Sequence, residues 1–290
     1  MNGARIESLR AGSYRLHFRP GQGRPLLIIH PSPIEETAAW FGPSGYDDRP
    51  LAVMSAREME RFDSDADEVV RALLAATGWQ DAADLQVLGF STGGYAAILY
   101  AAMMSVLRPA ARISVLAFSP MICVWPPEAA GWRVAHHERV VAAGWQTPTQ
   151  RRNLERFGDT RPWVRKAVSA SDGRFRAAIL HPARNARDVA QASLLTGMPG
   201  VTVAALPTAQ HTFYTLLTLK RGHANSVARI QLALTRKGRM TPEEALPRAT
   251  ALHAALADAA AAAPDLLSLY AMPRPAPIGG EPVGREPAIT

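Results

Sequence analysis

Leu85-Gln86-Val87-Leu88-Gly89-Phe90-Ser91-Thr92-Gly93-Gly94-Tyr95-Ala96-Ala97 is the stretch from which the rest of the chain is read. A short apolar run meets a serine flanked by glycines, and small apolar residues continue through 96–103. The run predicts a buried strand, the glycines a sharp turn, and the small residues a helix. Gly89 and Gly93 stand two positions either side of Ser91, where the turn meets the helix start and a Cβ would collide. The serine itself is expected in a strained backbone conformation with its hydroxyl projecting. The N-terminus of the helix behind it offers oriented N–H groups that favour negative charge. Such a turn suits a nucleophile whose reaction generates an oxyanion. A phosphate-binding loop fits less well, because no Gly-Lys-Ser/Thr follows and Gly89, Gly93 and Gly94 do not make G-x-G-x-x-G.

Upstream of this turn, residues 6–9 and 14–18 read as two short strands joined through Ala11-Gly12-Ser13. The second alternates Tyr14, Leu16 and Phe18 against Arg15, His17 and Arg19, as in an antiparallel hairpin. Residues 25–30 are continuously apolar, the pattern of a strand buried on both faces. A long loop rich in turn formers follows, then a strand at 51–55. Residues 57–77 contain an amphipathic helix, with Asp63, Ser64 and Asp65 as capping candidates and Val69, Val70, Leu73 and Leu74 on its apolar face.

Downstream, residues 112–118 form another buried strand, and a strand, helix, strand repeat is established. Regularity breaks over about 119–174, which holds four of the six tryptophans (Trp125, Trp132, Trp145, Trp163) and helical pieces near 132–143 and 149–157. This stretch reads as an insertion covering the strand ends. The alternation resumes with a strand at 175–180, a helix at 188–195 and a strand at 201–206. A loop with His211 comes next, then helices at 225–236 and 241–262. A Pro/Gly-rich tail over 271–290 is expected to be flexible.

With 290 residues, 48% of them hydrophobic, the chain can bury a substantial core, and residues 1–270 are expected to form one domain with an insertion. No run of 18 apolar residues is present and the N-terminus lacks an apolar signal region, so no transmembrane segment and a cytoplasmic location are expected. The single Cys123 has no internal disulfide partner, and its neighbours Met121, Ile122, Val124 and Trp125 suggest a buried, inert thiol. The net charge of +7 is concentrated over 131–187, with 12 Lys/Arg against 4 Asp/Glu, where an acidic ligand would be drawn or a solvated face would lie. There is no H-E-x-x-H, no cysteine pair and no clustered His/Asp at ligand spacing, so no metal site is expected. No cofactor is called for either, and no nucleic-acid recognition motif accompanies the basic stretch.

Counted along the chain, Ser91 follows the fifth strand, Asp188 the seventh and His211 the eighth. In this the sequence resembles the α/β-hydrolase fold superfamily, whose triad runs Ser, Asp/Glu, His. The likeness covers roughly residues 6–236, and its specific motif is Gly89-Phe90-Ser91-Thr92-Gly93. It implies an α/β fold: an eight-stranded, mostly parallel sheet flanked by helices, with a lid insertion after the sixth strand. Ser91 would be the nucleophile, His211 its base and Asp188 the carboxylate orienting the imidazole. Asp188 could instead only favour its helix start, with Asp172 as the rival acid; His136, His137 and His181 are the rival bases, while His223 lies beyond the expected loop.

The oxyanion would be met by the backbone N–H of Thr92, directly after the nucleophile. A second donor is expected from the loop after the third strand, where relatives often show His-Gly-Gly and this chain shows His30-Pro31-Ser32-Pro33. Neither proline can donate, which leaves Ser32. Trp125, Trp132 and Tyr95 are candidate substrate-binding residues. The activity so implied is a serine hydrolase cleaving a carboxylic ester or thioester through an acyl-enzyme, on a small-molecule or glycan ester of anionic character. The alternatives are an acyltransferase using the same triad, and a non-catalytic binding module for an acidic glycan or a partner protein.

Overall fold

Strands such as Leu26-Leu27-Ile28-Ile29 are apolar at every position, and only a sheet covered on both faces buries such a side-chain row whichever way it points. The computed structural model describes residues 7–11, 14–30, 49–55, 66–76, 79–126, 148–213, 227–235 and 240–262. Its strands are β1 (Glu7–Ala11), β2 (Tyr14–Arg19), β3 (Leu26–His30), β4 (Leu51–Ser55), β5 (Asp84–Phe90), β6 (Arg112–Phe118), β7 (Phe175–Pro182) and β8 (Val201–Leu206). They form one eight-stranded sheet in the order β1-β2-β4-β3-β5-β6-β7-β8. The pairs β1–β2 and β2–β4 are antiparallel; every pair from β4 to β8 is parallel. The alternation of strands and helices read from the sequence is therefore a mostly parallel sheet with an antiparallel hairpin at one edge.

The helices are α1 (Ala66–Ala75), α2 (Thr92–Leu107), α3 (Pro148–Phe157), α4 (Arg161–Ser171), α5 (Ala186–Ser193), α6 (Val227–Thr235) and α7 (Pro242–Ala262). The period of two along each strand divides the core in two. Leu27, Ile29, Val87, Val115 and Ile179 point to one face, where they meet Val69, Val70 and Leu73 of α1, the buried residues of α2, and Val164 and Ala167 of α4. Leu26, Ile28, Leu88, Leu116 and Leu180 point to the other, against Ile230 of α6 and Ala249, Leu252 and Leu256 of α7.

Helix α2 is buried from Gly93 to Ser105. Its all-round apolar surface, which no solvent-facing helix would carry, is explained by contacts with β3, β5 and β6 on one side and α4 and α1 on the other. Burial of each of its larger apolar side chains contributes about 1.5–3 kcal/mol. The element that begins at Ser91 is thus among the most firmly held in the molecule.

The expected insertion over 119–174 is too long. Helix α4, which the sequence reading left within it, packs against α2 and buries Val164, Ala167 and Ser171, so it belongs to the layer covering the sheet between β6 and β7. The signal was present as Val164, Ala167, Val168 and Ser171, one face of a helix at i, i+3, i+4 and i+7, with Pro162 in its first turn. Helix α3 likewise buries Leu154 and Phe157 in the helix-side core. The remainder of the proposed lid, residues 127–147 with Trp132, Trp145, His136 and His137, lies outside the described residues. So do Ser32, His223, the capping candidates Asp63, Ser64 and Asp65, and the tail at 271–290. No helix among the described residues is long and apolar enough to cross a membrane.

Candidate active site

Ser91 sits between the last residue of β5 and the first of α2 with φ 52° and ψ −117°. A non-glycine residue held at positive φ costs on the order of 1–3 kcal/mol and persists only where its surroundings over-determine it. Here they do. The Ser91 N–H donates to the Phe118 carbonyl of β6 (2.8 Å), and the Ser91 carbonyl accepts from Gly94 N (3.0 Å) and Tyr95 N (3.2 Å). The close approach also requires glycine. A Cβ on Gly89 would lie 2.6 Å from the Ala97 Cβ, and one on Gly93 would lie 2.9 Å from the Ile29 carbonyl carbon. Two helix-start residues thereby press against β3 and β5, and the Ser91 hydroxyl is left at the C-terminal rim of the sheet.

His211 belongs to the segment after β8. Its carbonyl accepts from Ser119 Oγ (2.8 Å), Thr208 N donates back to Leu206 O (2.7 Å), and Phe213 N donates to Gln210 O (3.1 Å). Phe213 is fully buried, its ring tilted against Phe118 at 5.9 Å, so the histidine hangs between two fixed anchors. Its Nε2 stands 2.9 Å from Ser91 Oγ.

Asp188 is in the first turn of α5, whose N-cap is Asn185. The Asn185 side chain accepts from Arg187 N (3.2 Å) and Asp188 N (3.4 Å), satisfying helix N–H groups that otherwise lack acceptors. The first turn is therefore capped without the Asp188 carboxylate, which turns to His211: both its oxygens lie 2.9 Å from His211 Nδ1. An ionised carboxylate only accepts, so Nδ1 carries the proton and Nε2 is left to accept from the Ser91 hydroxyl. The Asp188 side chain is 8% exposed and that of His211 39%, a shielded orienter behind a reachable imidazole.

The structure thus brings Ser91, His211 and Asp188 together, from three elements separated by up to 120 residues. The rivals are placed elsewhere. Asp172 is the C-cap of α4 and precedes β7, at the opposite end of the strands from Ser91. His181, buried at the end of β7, uses Nδ1 to donate to the Pro182 carbonyl (3.3 Å). Burial pulls its pKa below the ordinary histidine value, with the Pro182 carbonyl and the Asp188 charge acting in the opposite direction.

Thr92 is the first residue of α2, so its N–H has no i−4 carbonyl within the helix and is available beside Ser91. Tyr95 corrects the sequence reading. It is fully buried and its hydroxyl donates to the Phe157 carbonyl (2.6 Å), tying α2 to the end of α3 rather than facing a substrate. Trp125 packs against the helix-side core, next to Gly158, and is joined to Pro126 by a cis peptide bond.

Two further residues organise this rim and went unremarked in the sequence. Gln191, one turn after Asp188 and buried, accepts from Ile122 N (2.7 Å) and Cys123 N (2.9 Å), joining the helix of the acid to the segment after β6. Ser119 directly follows β6 at positive φ (45°) and holds the His211 carbonyl. Neither stands in a local motif, since both matter only through partners distant in sequence.

Strand order, a serine at positive φ between β5 and α2, and an acid and a histidine after β7 and β8 decide the architecture. This is an α/β-hydrolase fold. No family model matches the sequence, and no curated protein does. Among solved structures, the chain is similar to mouse alpha/beta hydrolase domain-containing protein 10, at 14% identity over 81% of this chain and 97% of that one, with a TM-score of 0.45. It is similar to an esterase of Pyrobaculum calidifontis at 15% identity over 86% and 85%, TM-score 0.43. A third is the capsule O-acetyltransferase of Neisseria meningitidis serogroup A, at 12% identity over 68% and 84%, TM-score 0.41. At these scores the likenesses add no weight, and the assignment rests on this chain's own strand order and turn.

Proposed function

We propose that the protein is a serine hydrolase that cleaves a carboxylic ester or thioester through an acyl-enzyme. The observation that carries the reading is the pair of contacts on one imidazole: Ser91 Oγ at 2.9 Å from Nε2, and the Asp188 carboxylate at 2.9 Å from Nδ1. A serine hydroxyl is a weak nucleophile at neutral pH and needs a base within hydrogen-bond reach. In the proposed reaction Ser91 Oγ attacks the acyl carbon as its proton passes to His211 Nε2. Asp188 stabilises the imidazolium and keeps the ring in the required tautomer. The Thr92 N–H donates to the resulting oxyanion, with Ser32 proposed as the second donor. Collapse breaks the bond to the leaving oxygen or sulfur, which takes the proton back from Nε2. Water then attacks the acyl-Ser91 ester by the same steps in reverse order of partners, releasing the carboxylic acid. With an alcohol in place of water, the same three residues would perform acyl transfer.

The anionic substrate suggested by the basic stretch draws little support from its described part. Arg151 pairs with Glu155, Arg156 with Asp67 and Arg161 with Asp159, so these charges are answered locally. The proposal therefore makes no demand for an acidic group on the ester.

Treatment with a fluorophosphonate probe tests the reading. Wild type is expected to be labelled at Ser91 and to hydrolyse nitrophenyl esters, Ser91→Ala to lose both while remaining folded, and Asp188→Asn to lose on the order of 10³–10⁴-fold in kcat. Folded wild-type protein that takes no label and turns over no ester would overturn it in favour of the non-catalytic binding module.

A further inference from the structure

Ser119 is one of three non-glycine residues at positive φ among the described residues, and it neighbours another. Phe90 and Phe118 are register partners in the parallel pair β5–β6, so Ser91 and Ser119 are the residues leaving the same rim of adjacent strands. Ser119 is 1% exposed, and its N–H donates to the Leu180 carbonyl of β7 (2.8 Å). The backbone on either side of it is tied to the nucleophile: Phe118 O accepts from Ser91 N (2.8 Å), and Pro120 lies against Gly94 of α2, so closely that a Cβ there would be 3.0 Å from the proline Cβ. Its hydroxyl, in turn, reaches the other partner and donates to the His211 carbonyl (2.8 Å). One tripeptide, Phe118-Ser119-Pro120, thus holds both the serine and the histidine by direct contacts.

We propose that Ser119 is a positioning residue that sets the Ser91–His211 distance by holding the His211 backbone with its hydroxyl. The inference rests on the roles given to Ser91 and His211 under Proposed function. The segment carrying His211 runs from β8 to Phe213 without regular secondary structure, and the imidazole ring is held on its Nδ1 side by the Asp188 carboxylate. The hydroxyl of Ser119 supplies a backbone hold within the same residue as the imidazole. Left-handed backbone at a strand end is otherwise unfavourable for serine, and its retention fits a site where the hydroxyl direction matters.

The test uses the full chain with Ser119→Ala, which removes the hydroxyl and keeps the backbone demand, and Ser119→Gly, which removes the hydroxyl and relieves that demand. Each is assayed for kcat and KM in ester hydrolysis and for fluorophosphonate labelling rate. Both variants are expected to lose about 10- to 100-fold in kcat with KM unchanged, since a misplacement of the base by about 1 Å has an effect of that size. Unchanged kcat in the glycine variant, or a loss of kcat matched by an equal rise in KM, overturns the proposal. Wild-type protein that takes no label at Ser91 refutes the nucleophile assignment itself, and this inference with it.

Discussion

Replacing Gly93 with alanine puts one methyl group where the first turn of α2 meets the central strand β3. The added Cβ would stand 2.9 Å from the carbonyl carbon of Ile29 and 3.3 Å from its Cγ2, with the carbonyl oxygen nearer still. Carbon atoms rest at about 3.5–4.0 Å. The closest neighbours are backbone atoms of a strand paired on both sides, to β4 and β5, so no rotamer change relieves the overlap. Either α2 lifts at its N-terminus or β3 yields. Overpacking of this kind costs about 1–3 kcal/mol, and a backbone neighbour places it at the upper end. At about 2–4 °C per kcal/mol, thermal unfolding should move down by roughly 6–12 °C. Activity should fall further than stability predicts, on the order of 100-fold, because the displaced turn carries Ser91 and the Thr92 N–H. Gly173→Ala is the control: its φ is 74° but its Cβ would meet nothing within 4 Å. It should lose about 1–2 kcal/mol from the left-handed backbone alone and leave fluorophosphonate labelling unchanged. A Gly93→Ala protein that melts within about 2 °C of wild type and labels at the wild-type rate would refute the close-approach account.

Gln191→Met removes the acceptor of two buried N–H groups, those of Ile122 and Cys123. At about 1–3 kcal/mol for each group left unpaired, urea unfolding should show a loss of about 2–6 kcal/mol; a change under about 1 kcal/mol would contradict it. Cys123 is fully buried, and burial first, with the Asp159 charge adding to it, pushes its pKa up to about 11. Iodoacetamide at about pH 8 should therefore leave the folded protein unmodified and react once it is unfolded, and rapid alkylation of native protein would be inconsistent with this. Burial holds His181 neutral below its ordinary pKa of 6.5. As pH falls below 6.5 the unfolded chain takes up a proton that the folded chain refuses, so this group lowers stability from there down to its folded pKa and contributes no slope above 6.5. Urea midpoints of His181→Gln should decline less steeply than wild type over that range, and parallel declines would count against it.

Much of the architecture was readable because it depends on neighbours in sequence. Unbroken apolar runs at β3, β5 and β6 demand cover on both faces, and the glycines around Ser91 specify a turn that few other residues can make. The other two members of the site, Asp188 and His211, are suggested only by chain order after their strands. Helix α4 is hard to read because its apolar face is narrow and lies within an Arg-rich stretch, and the position of Tyr95 near Ser91 in sequence says nothing of which way α2 turns it.

What the sequence by itself determined was the alternation of strands and helices and the strained serine turn, since both follow from local sterics and the period of apolar residues. Only the tertiary structure decided that Asp188 turns to His211, which it does because Asn185 caps the helix start and frees the carboxylate. It alone decided the holds supplied by Ser119 and Gln191, because a hydroxyl or an amide has no preferred partner until the fold brings one within 3 Å.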